Sequence, residues 1–189
     1  IMVGNDLVDL QIAKRESDWR RKGFLEKQFT TKEQQLILQN GNSFNDVWRL
    51  WSMKEAAYKI YTQQDKKRFF APQKFECSFI SESEGMVSFE KNKFFTTTFL
   101  NVHYCYTIAQ KTNDKLVVFS SVGLPENIGR KMKQKLQELT GVLAEEMTQI
   151  KSSVGAPLYY QKEKLLTNSC SISHHGNYGA FAFTLQNES

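Results

Sequence analysis

Three short segments of this chain carry residues able to do chemistry. The first is Gly4-Asn5-Asp6-Leu7-Val8-Asp9, a glycine followed by a carboxylate at what reads as the end of a strand. Asp6 there can meet a hard cation such as Mg²⁺, which favours oxygen ligands and keeps several waters. The plainer reading is a turn with a solvated aspartate. The second segment is Trp51-Ser52-Met53-Lys54-Glu55-Ala56-Ala57-Tyr58-Lys59. Lys54 projects from an apolar helical stripe formed by Val47, Leu50, Trp51, Tyr58 and Tyr61, with Glu55 and Lys59 along its edge. A lysine on a buried stripe is costly unless it snorkels out or finds an anion, so an anionic ligand at this face is worth testing. The plainer reading is a surface i,i+4 pair, Glu55–Lys59. The third segment is Ser171-Ile172-Ser173-His174-His175-Gly176. No G-x-S-x-G elbow surrounds either serine, and no cysteines accompany the histidines as zinc ligands. It reads as a loop of hydroxyls, amides and one imidazole that cradles phosphate oxygens, or as a polar turn before a strand.

Taken together, two carboxylates, two lysines and a Ser/His loop form the inventory for holding a magnesium-bound pyrophosphate. Mg²⁺ uses one or two carboxylates plus phosphate oxygens, and phosphoryl transfer needs positioning and charge neutralisation more than covalent help.

These segments must be positioned by the elements around them. Residues Met2 to Leu10 read as a strand, and Gln11 to Lys22 as a polar, basic helical stretch. Phe24 to Leu38 reads as a helix entered through Thr30-Thr31-x-Glu33, with Leu36 and Ile37 inward. Gly41-Asn42-Ser43 breaks it, and Asn45 or Asp46 is expected to cap the helix of Trp51. From Phe69 to Gln110 the chain is rich in Phe, Thr, Val and Tyr, which predicts three to five antiparallel strands with a turn at Glu84-Gly85. Leu116 to Val122 is a further apolar run. Pro125 opens an amphipathic helix with Ile128, Met132, Leu136, Leu139 and Leu143 on one face. Gly155-Ala156-Pro157 is a turn, and Ser171 to Leu185 reads as a loop followed by a strand. A faint likeness between the strands ending Ile108-Ala109-Gln110 and Thr184-Leu185-Gln186 hints at two related lobes.

At 189 residues the chain has length for one domain or two small lobes, and its 14 phenylalanines predict a well-filled core. No run of 18 apolar residues marks a membrane span, and polar residues from Asn5 onward break up any secretory signal. Three widely spaced cysteines fit neither a disulfide framework nor a thiolate metal site, and suit a reducing, cytoplasmic setting. The formal charge of +5 fits an anionic partner, but no recognised nucleic-acid motif accompanies it.

On these motifs the chain resembles the 4′-phosphopantetheinyl transferase superfamily. That family has a Gly-x-Asp strand end, a Trp-x-x-Lys-Glu-Ala-x-x-Lys helix and a Ser-x-Ser-His loop, which stand here as Gly4-Asn5-Asp6, Trp51 to Lys59 and Ser171-Ile172-Ser173-His174. Phe24 to Thr30 resembles the segment after the first strand in the small holo-acyl-carrier-protein synthases, and Gly155-Ala156-Pro157 the turn before the Ser-His loop. The motif order is that of the small synthases, which are shorter and act as trimers. The length resembles the longer, two-lobed surfactin-synthetase-activating type, as though that type were circularly permuted.

The resemblance implies an α+β fold of two pseudo-related lobes, residues 1–112 and 113–189, each a small antiparallel sheet packed on helices, with the active site between them. It implies transfer of the phosphopantetheine arm of coenzyme A to a serine of an apo acyl or peptidyl carrier protein, with release of 3′,5′-ADP. Asp6 and Glu55 would hold Mg²⁺. Lys54 and Lys59 would neutralise phosphate oxygens, and Ser173 and His174 would bind the coenzyme A phosphates. Glu55 or Lys59 would take the serine proton. Val8 stands where the longer type often has a second acid. Asp9, one step further along, points to the opposite face of an extended strand, so its place in the metal shell stays open. The basic stretch Lys14, Arg15, Arg20, Arg21, Lys22 would steer an acidic carrier protein. A two-lobe chain is expected to be a monomer, an expanded small synthase a trimer. Rival readings are a non-catalytic coenzyme A or carrier-binding module, or another magnesium-dependent phosphoryl-transfer enzyme acting without a carrier.

Overall fold

A computed structural model describes residues 2–68, 70–112 and 117–186 of the chain. The first strand, β1 (Val3–Asp9), is buried along its whole length. It runs into α1 (Leu10–Glu16), α2 (Phe24–Gln28), α3 (Thr31–Gln39) and the 23-residue α4 (Ser43–Asp65). Strands β2 (Glu76–Phe79), β3 (Glu84–Phe89), β4 (Asn92–Leu100) and β5 (Tyr104–Gln110) follow. With β1 they form a five-stranded antiparallel sheet in the order β1-β5-β4-β3-β2. Then come β6 (Phe119–Gly123), α5 (Ile128–Thr140), β7 (Met147–Lys151), β8 (Pro157–Gln161), β9 (Lys164–Leu165), β10 (Thr167–His175) and β11 (Tyr178–Leu185). These build a β10-β11-β6 sheet and a small β7-β8-β9 meander. Among the described residues, no helix is long and apolar enough to cross a membrane.

The long helix α4 forms because its segment is dense in helix formers (Leu50, Met53, Lys54, Glu55, Ala56, Ala57) and carries no glycine or proline. Its inner face, Val47, Leu50, Met53, Ala57 and Ile60, is fully buried against the five-stranded sheet. Small residues set how close the helix comes. A Cβ on Gly4 of β1 would lie 2.1 Å from the carbonyl oxygen of Ala56, so only glycine lets strand and helix backbones touch here. Asp6, on the same face of β1 two residues on, is thereby brought under α4, whose Ser52 hydroxyl donates to its carbonyl at 3.3 Å.

On the other face of β1, Val3 and Leu7 join Tyr106, Ile108, Ala180 and Ala182 in a core between the two larger sheets. A third core packs Ile128, Met132 and Leu136 of α5 on Tyr159, Phe181 and Phe183. The orders β1-β5-β4 and β6-β11-β10 correspond: in each, the first strand of the group pairs with its last, and the last with its penultimate. The two strands of the faint sequence likeness, β5 and β11, occupy equivalent places.

Several expectations need correction. The helix foreseen over 24–38 is two helices, because Thr30, extended at φ −66°, ψ 163°, closes a capping box with Glu33 and starts α3 afresh. The basic helical stretch ends early, at Glu16, with Ser17 extended. Asn42 rather than Asn45 or Asp46 precedes α4. Glu84 and Gly85 lie within β3, paired with Thr97 and Thr96, so the turn sits before them. Leu143 falls beyond α5, which Gly141 terminates at φ +73°. The apolar run from Leu116 begins outside the described residues, as do Phe69 and the 112/113 boundary from residue 113. Most consequentially, Ser171 to His174 lie in β10, not in a loop.

Candidate active site

The β10 segment is a strand because its odd and even side chains have separate work. The even-numbered Cys170 and Ile172 pack toward α5. The odd-numbered Ser169, Ser171, Ser173 and His175 line the free edge of β1. The hydroxyl oxygens of the three serines accept the amides of Val3, Asn5 and Leu7 at 3.0, 3.0 and 3.1 Å, and His175 Nδ1 accepts that of Asp9 at 2.9 Å. Side chains thus satisfy β1 amides that β5 leaves unpaired. The carbonyls on this edge are met from α4: Gln63 donates to Val3 at 2.9 Å and Lys59 to Asn5 at 2.7 Å.

This arrangement brings Asp6, Glu55, Lys59 and Ser173 together. Lys59 Nζ lies 3.9 Å from Asp6 Oδ1, and the Ser173 hydroxyl donates to the same oxygen at 3.4 Å. Asp6 Oδ2 is buried and has no hydrogen-bond partner among the described residues. Burial is the main cause that pushes the Asp6 carboxyl up to about 7, with Glu55 adding to it and Lys59 opposing. Burial also raises Glu55, again against Lys59. The Glu55–Lys59 ion pair of the plainer reading does not form, because the ammonium turns instead to the Asn5 carbonyl. Two desolvated carboxylates, one with an orphaned oxygen, are a donor set that a hard divalent cation fits. Among the described residues no three His, Cys, Asp or Glu side chains converge, so such an ion would complete its shell from substrate and water.

Asp9 is committed elsewhere. Its Oδ1 accepts the amides of Gln11 and Ile12 as the cap of α1, and its Oδ2 accepts that of Asn177. Desolvation opposes its charge, but these amides outweigh it and hold the carboxyl below its ordinary range. His174 is exposed, on the face of β10 opposite Ser173. Lys54 is not at the site at all. It is fully buried, with Nζ 2.9 and 2.8 Å from the two oxygens of Glu33 and donating to the carbonyls of Pro72 at 2.9 Å and Phe75 at 2.5 Å. The anion its position called for is inside the chain, and no donor remains for a phosphate.

Sequence reasoning overlooked Asn5, Gln63 and Arg68. Asn5 is fully buried, with its side chain held by Ser171 at 2.7 Å and Tyr106 at 3.3 Å, and so fixes the carbonyl that orients Lys59. Beside Lys59, a cavity of about 140 Å³ is lined by Thr62, Gln63, residues 154–157 and residues 170–172. Gly155, at φ +85°, forms part of it, and the exposed Arg68 comes within 3.0 Å of where a Cβ on Gly155 would lie. The Lys66-Lys67-Arg68 run was the available signal. At the far end of β1 a groove of about 840 Å³ lies between the basic Lys14, Arg15 and Arg20 and the apolar Phe44, Leu100 and Val102.

The raised carboxylates predict a pH dependence. A carboxyl whose folded pKa lies above its unfolded value favours folding when protonated, so the metal-free protein loses stability as pH rises from about 4 through about 7. A divalent cation competes with those protons. Thermal unfolding at pH 5 and pH 8 should therefore show a Mg²⁺-induced rise in Tm at pH 8 and little at pH 5. Equal shifts at both would remove Asp6 from the ion's shell.

A carboxylate from the middle of β1, not its end, thus meets a carboxylate and a lysine of α4 across one strand–helix contact of an α+β protein. A family model for the 4′-phosphopantetheinyl transferase superfamily matches residues 2–117. The chain belongs to that superfamily of transferases, and its fold is the superfamily's α+β arrangement. Among solved structures, the holo-[acyl-carrier-protein] synthase of Thermotoga maritima is similar at 12% identity, over 85% of this chain and 83% of that chain, with a TM-score of 0.46. No curated protein matches by sequence.

Proposed function

We propose that this protein transfers the 4′-phosphopantetheine arm of coenzyme A to a serine hydroxyl of an acidic apo carrier protein, releasing 3′,5′-ADP. The observation that carries the proposal is the meeting of Asp6, Glu55 and Lys59, from motifs some fifty residues apart, at a carboxylate whose buried Oδ2 has no partner among the described residues. Asp6 and Glu55 would hold Mg²⁺. When bound, the ion supplies Lewis-acid neutralisation of pyrophosphate charge. Lys59, about a third exposed and already aimed at this point by the Asn5 carbonyl, binds phosphate oxygens. Arg68 extends the cationic surface beside the cavity, and the exposed His174 offers an imidazole to the remaining phosphates from the other face of β10. Glu55 takes the proton of the attacking serine. Burial raises its carboxyl against the pull of Lys59, and no described side chain bonds it.

The carrier docks at the groove beyond the end of β1. Its rim carries Lys14, Arg15 and Arg20 with Glu16 and Asp18 among them, so the basic residues outnumber the acids toward an acidic surface, and Phe44, Leu100 and Val102 offer apolar contact. The Arg20 guanidinium lies 4.3 Å over the Trp19 ring, which holds one of these charges in place. The groove starts at Leu10, roughly 13 Å along the chain from Asp6 at extended spacing. We place the two lobes at residues 1–112 and 113–189, with the site between them inside one chain, so the enzyme acts as a monomer. Its three cysteines are free and buried, as suits a cytoplasmic enzyme.

The test follows 3′,5′-ADP after mixing protein, coenzyme A and Mg²⁺ with or without an apo carrier protein. Release is expected only when the carrier is present. Release without carrier would mean a hydrolase of the same inventory, and binding without release a non-catalytic module.

A further inference from the structure

We propose that Ser173 is a positioning residue, whose hydroxyl holds the Asp6 carboxylate by one oxygen and so leaves the other directed at a divalent cation. This rests on the reading above, in which Asp6 helps to hold Mg²⁺. Ser173 is 7% exposed. Its oxygen accepts the Leu7 amide at 3.1 Å and its proton goes to Asp6 Oδ1 at 3.4 Å. The Lys59 ammonium stands 3.9 Å from that same Oδ1. These side-chain contacts fall on one oxygen, while Oδ2 is buried and unpartnered among the described residues. A buried acceptor left without a donor is costly, and a cation is the partner that relieves it here.

Ser173 accepts from one group and donates to another, so its hydroxyl is not free for the coenzyme A phosphate that the motif likeness implies for it. Neighbouring rungs of β10 isolate what is special about it. Ser169 serves the Val3 amide in the same way, but its proton goes to Gln63 Oε1 at 2.7 Å and it touches no carboxylate among the described residues. Removing either hydroxyl exposes a buried β1 amide and lowers stability similarly. Only removal at 173 also frees the Asp6 carboxylate to rotate.

The experiment titrates Mn²⁺ alone into metal-free protein, without coenzyme A, for wild type, Asp6→Asn, Ser173→Ala, Ser173→Thr and Ser169→Ala. Coenzyme A is titrated separately in excess chelator. Ser173→Ala is expected to weaken Mn²⁺ binding by about tenfold, the usual effect of losing a partner that orients a metal ligand. Ser173→Thr restores the affinity, and Ser169→Ala keeps it despite its comparable loss of Tm. Chelated coenzyme A binding by Ser173→Ala stays at the wild-type level. If Asp6→Asn weakens Mn²⁺ binding and Ser173→Ala does not, the positioning role is overturned and the magnesium reading survives. If chelated coenzyme A binding falls in Ser173→Ala, the serine is a phosphate contact and the proposal is likewise overturned. If wild type and Asp6→Asn bind Mn²⁺ alike, the magnesium reading fails and takes this proposal with it. Should Ser173→Ala not fold, Ser173→Cys, similar in shape but a weaker donor, must show the weakened affinity, and wild-type affinity there overturns the role.

Discussion

Glu55→Gln abolishes transfer to the carrier, with a rate loss of about 100-fold or more, while the protein folds as before. Glutamine keeps the shape of Glu55 and its place on α4 but removes the charge that holds the cation and the base that accepts the serine proton. The structural cost is small because no described side chain bonds the Glu55 carboxylate, whose charged form burial already disfavours. Asp6→Asn loses activity to a similar degree and has a second consequence. It removes a buried carboxyl pushed up to about 7, so the metal-free variant should melt above wild type at pH 8. Gain of stability with loss of function marks a residue kept for its chemistry. Initial rates of carrier modification and melting curves check both, and a Glu55→Gln protein working at the wild-type rate would sink the assignment.

Lys54→Met has the opposite signature, a loss of stability of about 3–5 kcal/mol through the stranded Glu33 carboxylate. That is a large fraction of the 5–15 kcal/mol typical of a folded domain. Glu33 is tied down on every side: its Oε1 also accepts the Cys77 amide at 2.6 Å and its Oε2 the Thr30 amide at 2.8 Å. One ion pair therefore joins α3, α4 and the start of β2. Replacing Glu33 as well should not rescue Lys54→Met, since the amides of Thr30 and Cys77 would lose their acceptor. Urea denaturation measures the loss, and Mn²⁺ affinity under native conditions should stay at the wild-type level. A Lys54→Met protein of wild-type stability but weakened coenzyme A binding would restore the lysine to the phosphate site.

Lys54 also shows where sequence stops being informative. The helical period places it on an apolar stripe and dictates that it needs an anion. Whether the anion is a ligand or Glu33, 21 residues upstream, depends on how α3 packs on α4, which periodicity does not contain. Asp6 and Glu55 stand out in the sequence because glycine-carboxylate and lysine-glutamate patterns are local, and they meet because α4 crosses β1 where Gly4 permits. The Ser-x-Ser-His segment misled for a different reason. Its hydroxyls look like a phosphate cradle, yet Ser169-x-Ser171-x-Ser173-x-His175 alternates with period two, a strand signal masked by its polarity. The acceptors those side chains supply are consumed by an edge, β1, more than 160 residues away in the chain.

The most direct test is the mass of an apo carrier protein after incubation with coenzyme A, Mg²⁺ and either wild-type or Asp6→Asn protein. A gain of one phosphopantetheine arm is expected with wild type and not with Asp6→Asn over the same interval. An unchanged carrier mass with folded wild-type protein, across acyl and peptidyl carriers, would contradict the transferase reading.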